Sequence, residues 1–280
     1  MAWKVLGAVR LFIKKCSQDN ISAFAAQSAF FVILSIIPFL MVFISMAQYT
    51  PVTESMVMEL VYRVMPSYIS PFLVSIIHEV YTRSVGIISI TAVMAVWASA
   101  KGVQYLSNGL NVVYDRMETR NWFRLRFRAI LYTLVMLIAI ILSLTLLVFG
   151  NSIQKLLQSY IPFVARLTQL VLGFRVLIIL GVLILFFMIL YKMLPNRKAT
   201  LKSQLPGSVL CAIAWYGFSF GVSIYVDYFN GFSMYGSLTT IALVMLWLYF
   251  CMYILLVCAE INNIYEQHWK DKMEKKGLQI

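Results

Sequence analysis

The sequence predicts an all-α membrane protein of six transmembrane helices with both termini in the cytoplasm. Hydrophobic residues make up 61% of the 280 residues, and charged residues only 12%, about half the share that soluble domains carry. A soluble domain of this length has no means of burying so much apolar surface in one core. Lys and Arg also concentrate in alternate gaps between the apolar stretches, which is typical of proteins whose cytoplasmic loops are positive.

Six apolar segments approach the length of about 20 residues that a helix needs to cross a bilayer. They cover residues 21–47, 85–106, 129–150, 173–191, 205–226 and 234–259. The fourth is the weakest, and we expect Arg175 and Lys192 to extend from its ends to opposite interfaces. Pro38 lies inside the first span and predicts a kink or a packed neighbour other than lipid. The predicted domains are an interfacial helix (1–20), a transmembrane domain (21–264) and a basic cytoplasmic tail (265–280).

The distribution of positive charge orients these spans. Of the 23 Lys and Arg residues, 17 lie at the amino end, after the second span, after the fourth span and in the carboxyl tail. The intervening gaps share five, and Lys101 lies within a span. This alternation places both ends in the cytoplasm. It also accounts for the net charge of +12 without a nucleic-acid partner, and it predicts contact with anionic lipid headgroups at the cytoplasmic face.

Amphipathic patterns predict helices outside the spans. Trp3, Leu6, Val9 and Ile13 recur at helical spacing among the lysines of the amino end, which predicts a helix lying in the cytoplasmic interface. The two long outer gaps, around residues 51–83 and 151–172, repeat apolar residues every three or four positions. We expect short amphipathic helices there, either resting on the outer leaflet or folding back between the spans.

Small residues and cysteines suggest packing rather than chemistry. Gly217 and Gly221 form a GxxxG motif in the fifth span, which predicts close helix packing, either inside the bundle or between two copies. The four cysteines show no paired-ligand spacing, and the two histidines are far apart, so we expect no metal site and no cofactor. HExxH and glycine-rich phosphate loops do not occur in the sequence, and we expect the protein not to be an enzyme.

Polar residues near the cytoplasmic ends of the spans form the first candidate site. Lys101 in the second span and Glu260 at the end of the sixth are at one predicted depth, which favours an ion pair between them. The alternative is that Lys101 extends to the interface and Glu260 is a solvated carboxylate at a helix end. The ion pair would belong to an inner polar vestibule that recognises a headgroup or a small ion. Its candidate residues are Gln27, Ser28, Lys101, Gln104, Asn108, Asn111, Glu260 and Asn262.

A second group lies at the opposite ends of the spans. Arg175 begins the fourth span, Asp227 ends the fifth, and Tyr235 belongs to the aromatic turn that follows. An interfacial belt of aromatic residues is the simpler explanation of this turn, and an outer binding site is the alternative.

Several phrases resemble, in order, the motifs of the YihY/virulence factor BrkB family of bacterial inner-membrane proteins. They are Gln27-Ser28-Ala29-Phe30-Phe31 with Leu34-Ser35-Ile36-Ile37-Pro38, Trp97-Ala98-Ser99-Ala100-Lys101-Gly102 with Asn111 to Arg116, Leu194-Pro195-Asn196, Tyr235-Gly236-Ser237-Leu238, and Cys258-Ala259-Glu260-Ile261-Asn262. Cys258 and Ile261 depart from the Gly and Leu that are common in the family. The resemblance implies a multi-pass protein of the bacterial cytoplasmic (inner) membrane.

What the resemblance implies about function is limited. The family's older name, ribonuclease BN, implies a nuclease, but the sequence has no cluster of metal-binding acids. Other associations of the family are with serum resistance and with envelope lipid or ion transport. We expect a transporter or translocator of a lipid-like or ionic solute, in which the kinked first span moves against a face of small residues. The alternative function is a non-transporting membrane scaffold for envelope or secretion partners. A nuclease is the third and disfavoured function. Oligomerisation stays open.

Overall fold

The computed structural model describes residues 2–47, 53–64, 70–82, 85–121, 123–128, 130–131, 175–228 and 237–274. Every regular element in these residues is helical, which confirms the all-α class. The helices are α1 (Ala2–Gln18), α2 (Ile21–Ala47), α3 (Glu54–Val64), α4 (Ser70–Thr82), α5 (Val85–Val113), α6 (Arg175–Met193), α7 (Leu201–Tyr228) and α8 (Ser237–Glu274). A shorter helical segment covers residues 123–128.

Two of the described helices are long and apolar enough to cross a membrane. These stretches are Leu201–Tyr225 in α7 and Ile241–His268 in α8, and shorter apolar stretches cover Ile21–Ser35 in α2 and Ile179–Met193 in α6. A helix therefore occupies five of the six predicted spans, while nearly all of the third (129–150) lies outside the described residues. Six crossings and cytoplasmic termini stay predictions.

Helices α2 and α5 pack along each other because two glycines of α5 leave room. A Cβ added to Gly102 would lie 3.0 Å from Val32 Cγ2 and 3.3 Å from the carbonyl oxygen of Ser28. A Cβ added to Gly109 would lie 2.9 Å from Phe24 Cβ and 3.1 Å from Leu256 of α8. Since these glycines are seven residues apart, they share one helix face, and that face brings the backbones of α2 and α5 close together.

Helix α8 crosses α7 at a third glycine. The backbone N–H of Gly207 donates to Asn262 Oδ1 at 2.7 Å. A Cβ at Gly207 would lie 2.4 Å from the carbonyl oxygen of Cys258 and 2.6 Å from Asn262 Cγ, so only glycine allows this approach. Pro206 precedes it inside α7. The tightest glycine contact of the described residues is therefore at a single glycine near the start of α7.

The GxxxG pair occupies a different environment. No atom of the described residues lies within 4 Å of a Cβ added to Gly217 or Gly221. Both line an apolar groove of about 720 Å³ on the flank of α7 and α8. Among the described residues no helix packs closely on this glycine face, and close packing inside the bundle stays a prediction. The role in dimerisation stays a prediction.

The first outer gap forms a helical hairpin. Helices α3 and α4 pack against each other, and His78 Nδ1 of α4 lies 3.0 Å from Glu54 Oε1 of α3. Ile76, Ile77 and Val80 of α4 bury their apolar face with Ile44 of α2. The hairpin therefore packs against the end of α2, and both predicted arrangements, on the outer leaflet or between the spans, stay predictions.

Other predictions fall where the structure gives no description. The second outer gap (151–172) and Tyr235 lie outside the described residues, as do the side chains of Pro38, Arg175 and Asp227. Helix α2 continues through Pro38 to Ala47.

The α7–α8 crossing gives a testable prediction. We expect Gly207→Ala to lower the free energy of unfolding by about 1–3 kcal/mol, because the added methyl group forces the crossing apart. Thermal unfolding of the detergent-solubilised protein measures this. Gly217→Ala on the same helix is the matched control and should unfold at or slightly above the wild-type temperature, since alanine favours a helix over glycine. Equal destabilisation by the two substitutions would contradict the assignment.

Candidate functional site

Two connecting segments meet at one end of the bundle. Residues 114–121 follow α5, and residues 194–200 join α6 to α7. We call this the basic end of the molecule; the C-terminal end of α1 also lies there, since Lys15 contacts Asp115 and Glu260.

Asn111 in the last turn of α5 connects the two segments. Its Nδ2 donates to Glu118 Oε2 at 2.8 Å, and its Oδ1 accepts the backbone N–H of Asn196 at 2.6 Å. Asn196 in turn donates to Met117 and Thr119 at 2.9 and 2.8 Å. An amide can serve both segments at once because it carries a donor and an acceptor. Asn111 is thus buried and committed to structure.

The end of α5 directs the first segment towards this contact. Asp115 has a left-handed backbone, with φ of 51°. Its N–H donates to Val112 O, and the N–H of Arg116 donates to Asn111 O, the hydrogen-bond pattern of a Schellman motif. Aspartate is among the residues that tolerate this conformation best after glycine, so the helix ends here and Arg116 begins a new direction.

Arg197 fixes the second segment. Its Nη1 donates to Glu266 Oε2 of α8 at 2.6 Å, and its Nη2 donates to Gln204 Oε1 of α7 at 2.9 Å. The guanidinium carbon lies 3.4 Å from the ring centre of Tyr114, in stacking range. Burial raises the pKa of Tyr114 well above its usual range, so the phenol stays protonated and donates to Gln204 at 3.3 Å.

Between the two segments lies a cavity of about 680 Å³, which we call the basic cleft. Its cationic lining residues are Arg116, Arg120, Arg128, Lys192, Arg197 and Lys198, and the others are Leu131, Met193, Pro195 and Asn196. Among the described residues no acidic side chain lines it. A cavity with one sign of charge attracts and concentrates ions of the opposite sign.

Arg120 belongs to the cleft wall and is held by Glu118. Its Nε and Nη2 reach the two Glu118 oxygens at 2.7 Å each, and Nη2 also donates to Leu194 O at 2.9 Å. Partial burial raises the pKa of Glu118, but hydrogen bonds from Arg120 and Asn111 outweigh burial and hold this pKa below its usual value. Glu118 is therefore charged at neutral pH and fixes Arg120 against the other segment.

The candidate residue Glu260 is placed differently from the prediction. Its side chain is fully buried on α8, and its nearest cation is Lys15, with Nζ at 3.6 Å from Oε1. Lys15 also lies 3.1 Å from Asp19 and 4.0 Å from Asp115. Neither oxygen of Glu260 has a hydrogen-bond partner among the described residues. Lys15 thus links α1 to α8 and to the segment that follows α5.

Lys101 has aromatic neighbours. Its Nζ lies 5.2 Å from the ring centre of Phe31 and 5.9 Å from that of Trp97, both within cation–π range. Arg126 approaches the same indole at 4.3 Å and donates to the Trp97 carbonyl at 2.7 Å. The expected ion pair between Lys101 and Glu260 is wrong for this structure, because aromatic faces attract Lys101 and α1 supplies the counter-charge of Glu260.

The other candidate residues of the vestibule do not form one chamber. Gln27 is exposed on α2, while Ser28 is buried and its hydroxyl has no partner among the described residues. Gln104 and Asn108 are half-buried. Asn262 is committed to Gly207. The predicted vestibule thus separates into a packed polar core around Glu260 and a few scattered residues.

Sequence reasoning missed the basic cleft. Its cations are all visible in the sequence, where their distribution predicts orientation and contact with anionic headgroups but no cavity. The cations lie in the gap after the second span and in the gap after the fourth. Both gaps are predicted on the same side of the membrane, and this shared side is the signal in the sequence that could have indicated the cleft.

Comparisons with known proteins agree with the resemblance. The model of the family described as Virulence factor BrkB matches residues 12–279. This chain belongs to that family. Putative ribonuclease-like protein YfkH of Bacillus subtilis is 29% identical over 88% of this chain and 90% of its own length. UPF0761 membrane proteins of Alteromonas mediterranea and Pseudoalteromonas atlantica are 28% and 23% identical, covering 89% and 97% of this chain and 84% and 90% of their own lengths.

No solved structure matches the chain significantly. Family membership, relatives named as membrane proteins and the two long apolar helices together identify a membrane protein.

The Lys15–Glu260 contact predicts energetic coupling. Lys15→Gln leaves a buried carboxylate without its counter-charge and should destabilise the protein, while adding Glu260→Gln should recover part of the loss. We expect a coupling energy of about 1–3 kcal/mol in a double-mutant cycle of thermal or denaturant unfolding. Lys14, the exposed neighbour of Lys15, provides a control. The changes in the free energy of unfolding caused by Lys14→Gln and by Lys101→Gln should each be additive with that caused by Glu260→Gln. Coupling of Lys101 rather than Lys15 would restore the sequence-based pairing.

Glu118 predicts a pH dependence. Because its pKa is lower in the folded protein than in the unfolded chain, its stabilising contribution is present above the unfolded pKa of about 4.3 and is lost as pH falls through the folded value. Glu118→Gln should therefore lower the unfolding temperature at about pH 7, with the difference from wild type shrinking below about pH 4. A difference that stayed constant through this range would refute the assignment.

Proposed function

We propose that this protein is a transporter or translocator of a lipid-like or ionic solute that carries negative charge, in the bacterial cytoplasmic membrane. The observation that carries the proposal is the basic cleft. Six cationic side chains surround a cavity of about 680 Å³ at one end of the apolar helices. Pockets of about 300–1,000 Å³ are the usual size for small-molecule sites.

The cleft is suited to an amphiphile as well as an ion. Leu131 and Met193 line it beside the cations, and each is 48% exposed. A lipid-like solute would place its charged group among the cations and its apolar part along these residues. The excess of Lys and Arg in the alternate gaps argues that the cleft opens to the cytoplasm, where anionic solutes and headgroups would meet it first.

The mechanism we propose is movement of α2 along α5. Gly102 and Gly109 bring the backbone of α5 close to α2, and small residues at a helix interface permit such close approach. Ser107 of α5 donates to Leu194 O in the second segment at 3.1 Å. A shift of α5 would therefore reach the wall of the cleft.

A vesicle assay tests this function. Purified protein in phosphatidylcholine vesicles should accelerate translocation of fluorescent phosphatidate, measured by chemical quenching of the outer leaflet. The double substitution Arg116→Gln and Lys198→Gln should slow it about tenfold or more, since each lost charge-assisted contact is worth about 1.5–3 kcal/mol. The matched control is Arg124→Gln with Lys202→Gln, which removes two exposed cations outside the cleft. Rates equal to those of protein-free vesicles, for fluorescent phosphatidate and for small inorganic anions, would refute the proposal.

The competing proposal is a non-transporting scaffold that binds envelope or secretion partners. The packed polar core favours it, because Glu260 and Asn262 have no exposed surface. Its expected result is binding of partner proteins to the basic end, without any flux, in the same vesicles.

A nuclease is the third proposal, suggested by the printed name of the YfkH relative. In the described residues no group of three His, Cys, Asp or Glu could hold a metal ion. We therefore expect the purified protein not to cleave RNA with added Mg²⁺ or Mn²⁺, and metal-dependent cleavage would favour the nuclease.

A further inference from the structure

The six cations of the basic cleft divide into two groups. Arg120 and Arg197 already have acidic partners, Glu118 and Glu266, and their side chains are only 12% and 6% exposed. The other four have exposed side chains without a hydrogen-bond or ion-pair partner among the described residues. They are Arg116, Arg128, Lys192 and Lys198.

This division separates structural cations from available ones. The paired arginines hold the two walls in place, since Arg120 bonds to Leu194 O of the opposite segment and Arg197 bonds to α7 and α8. Arg116 and Arg128 come from the residues after α5, whereas Lys192 and Lys198 come from the end of α6 and the segment after it. Like charges gathered around one cavity repel each other, and an anion between them removes that repulsion.

The number of available charges indicates the valence of the ligand. A phosphodiester carries a single negative charge and would leave most of the positive charge uncompensated. A phosphomonoester carries about −1.5 to −2 at pH 7 and offers three acceptor oxygens, and a diphosphate carries more. Arginine pairs with phosphate through two parallel hydrogen bonds, whereas lysine acts as a point charge. The cleft offers two residues of each kind.

We propose that the basic cleft is a binding site for a multiply charged phosphate group, a phosphomonoester or a diphosphate, in preference to a phosphodiester. The group belongs either to a lipid headgroup or to a soluble phosphate. The inference deepens the proposed function, since it assumes that the solute binds first in this cleft. It also separates the protein from nucleic-acid binders, because a polynucleotide presents phosphodiesters.

Binding to the full-length protein in phosphatidylcholine nanodiscs tests the preference. One series of nanodiscs contains phosphatidate, and a second contains phosphatidylglycerol at a mole fraction raised to match the total charge. In a third series, inorganic pyrophosphate is added to nanodiscs of phosphatidylcholine alone. All measurements are made at about 0.15 M salt, where distant surface charges are screened. Unfolding temperature and intrinsic fluorescence report binding in each arm.

We expect phosphatidate or pyrophosphate to bind about tenfold more tightly than phosphatidylglycerol, the difference that one further charge-assisted contact would give. Arg128→Gln and Lys198→Gln should each reduce this preference several-fold. Arg124→Gln, one turn from Arg128 on the same helical segment, and Lys202→Gln should leave it unchanged. Tighter binding of phosphatidate identifies a headgroup as the source, and tighter binding of pyrophosphate identifies a soluble phosphate.

Three results would overturn the inference. The first is equal affinity for phosphatidate and for charge-matched phosphatidylglycerol, together with no binding of pyrophosphate. The second is a preference for phosphatidate that the cleft substitutions leave unchanged. The third is displacement of phosphatidate by single-stranded RNA at equal phosphate concentration. The vesicle assay distinguishes this failure from that of the proposed function. Selective binding without translocation would refute transport alone, whereas translocation without a valence preference would refute this inference alone.

Discussion

The hydrogen bond from Gly207 to Asn262 holds the basic end of the molecule together. It sets the crossing of α7 and α8. Gln204 and Glu266, one turn away on each helix, accept hydrogen bonds from Arg197. Arg197 stacks on Tyr114, at the end of α5. The position of the second wall of the cleft therefore follows from a contact that only a residue without a side chain permits.

The polar groups of this end perform separate tasks. Asn111 and Glu118 join the two connecting segments. Lys15 supplies the positive counter-charge for the buried carboxylate of Glu260. These groups compensate each other inside the protein, where an isolated charge would be costly. The four unpaired cations of the cleft lie on its surface and take no part in these contacts. Substitutions at these four positions can therefore test the proposed function without threatening the fold.

Hydropathy and periodicity predicted the helices because each is a local property of the chain. Partners were harder to predict. Lys101 and Glu260 share a predicted depth, while Lys15 belongs to the predicted interfacial helix. The sequence gives no means of choosing which lysine contacts the carboxylate. The GxxxG motif identifies small residues but not the helix that crosses them. Gly207 is a single glycine beside a proline, and no sequence motif marks it as a crossing point. The cleft depends on convergence of two gaps about 75 residues apart, which no one-dimensional pattern records.

The attachment of Arg126 to Trp97 has a consequence for the order of assembly. These residues are 29 positions apart, whereas Arg120 and its acceptor Leu194 are 74 apart. Chains emerge from the ribosome at about 5–20 residues per second, so one wall of the cleft precedes the other by roughly 4–15 seconds. During that interval the arginines after α5 are exposed without their opposite wall. The first half of the cleft, held to the α5 indole by Arg126, is thus made before the second half exists.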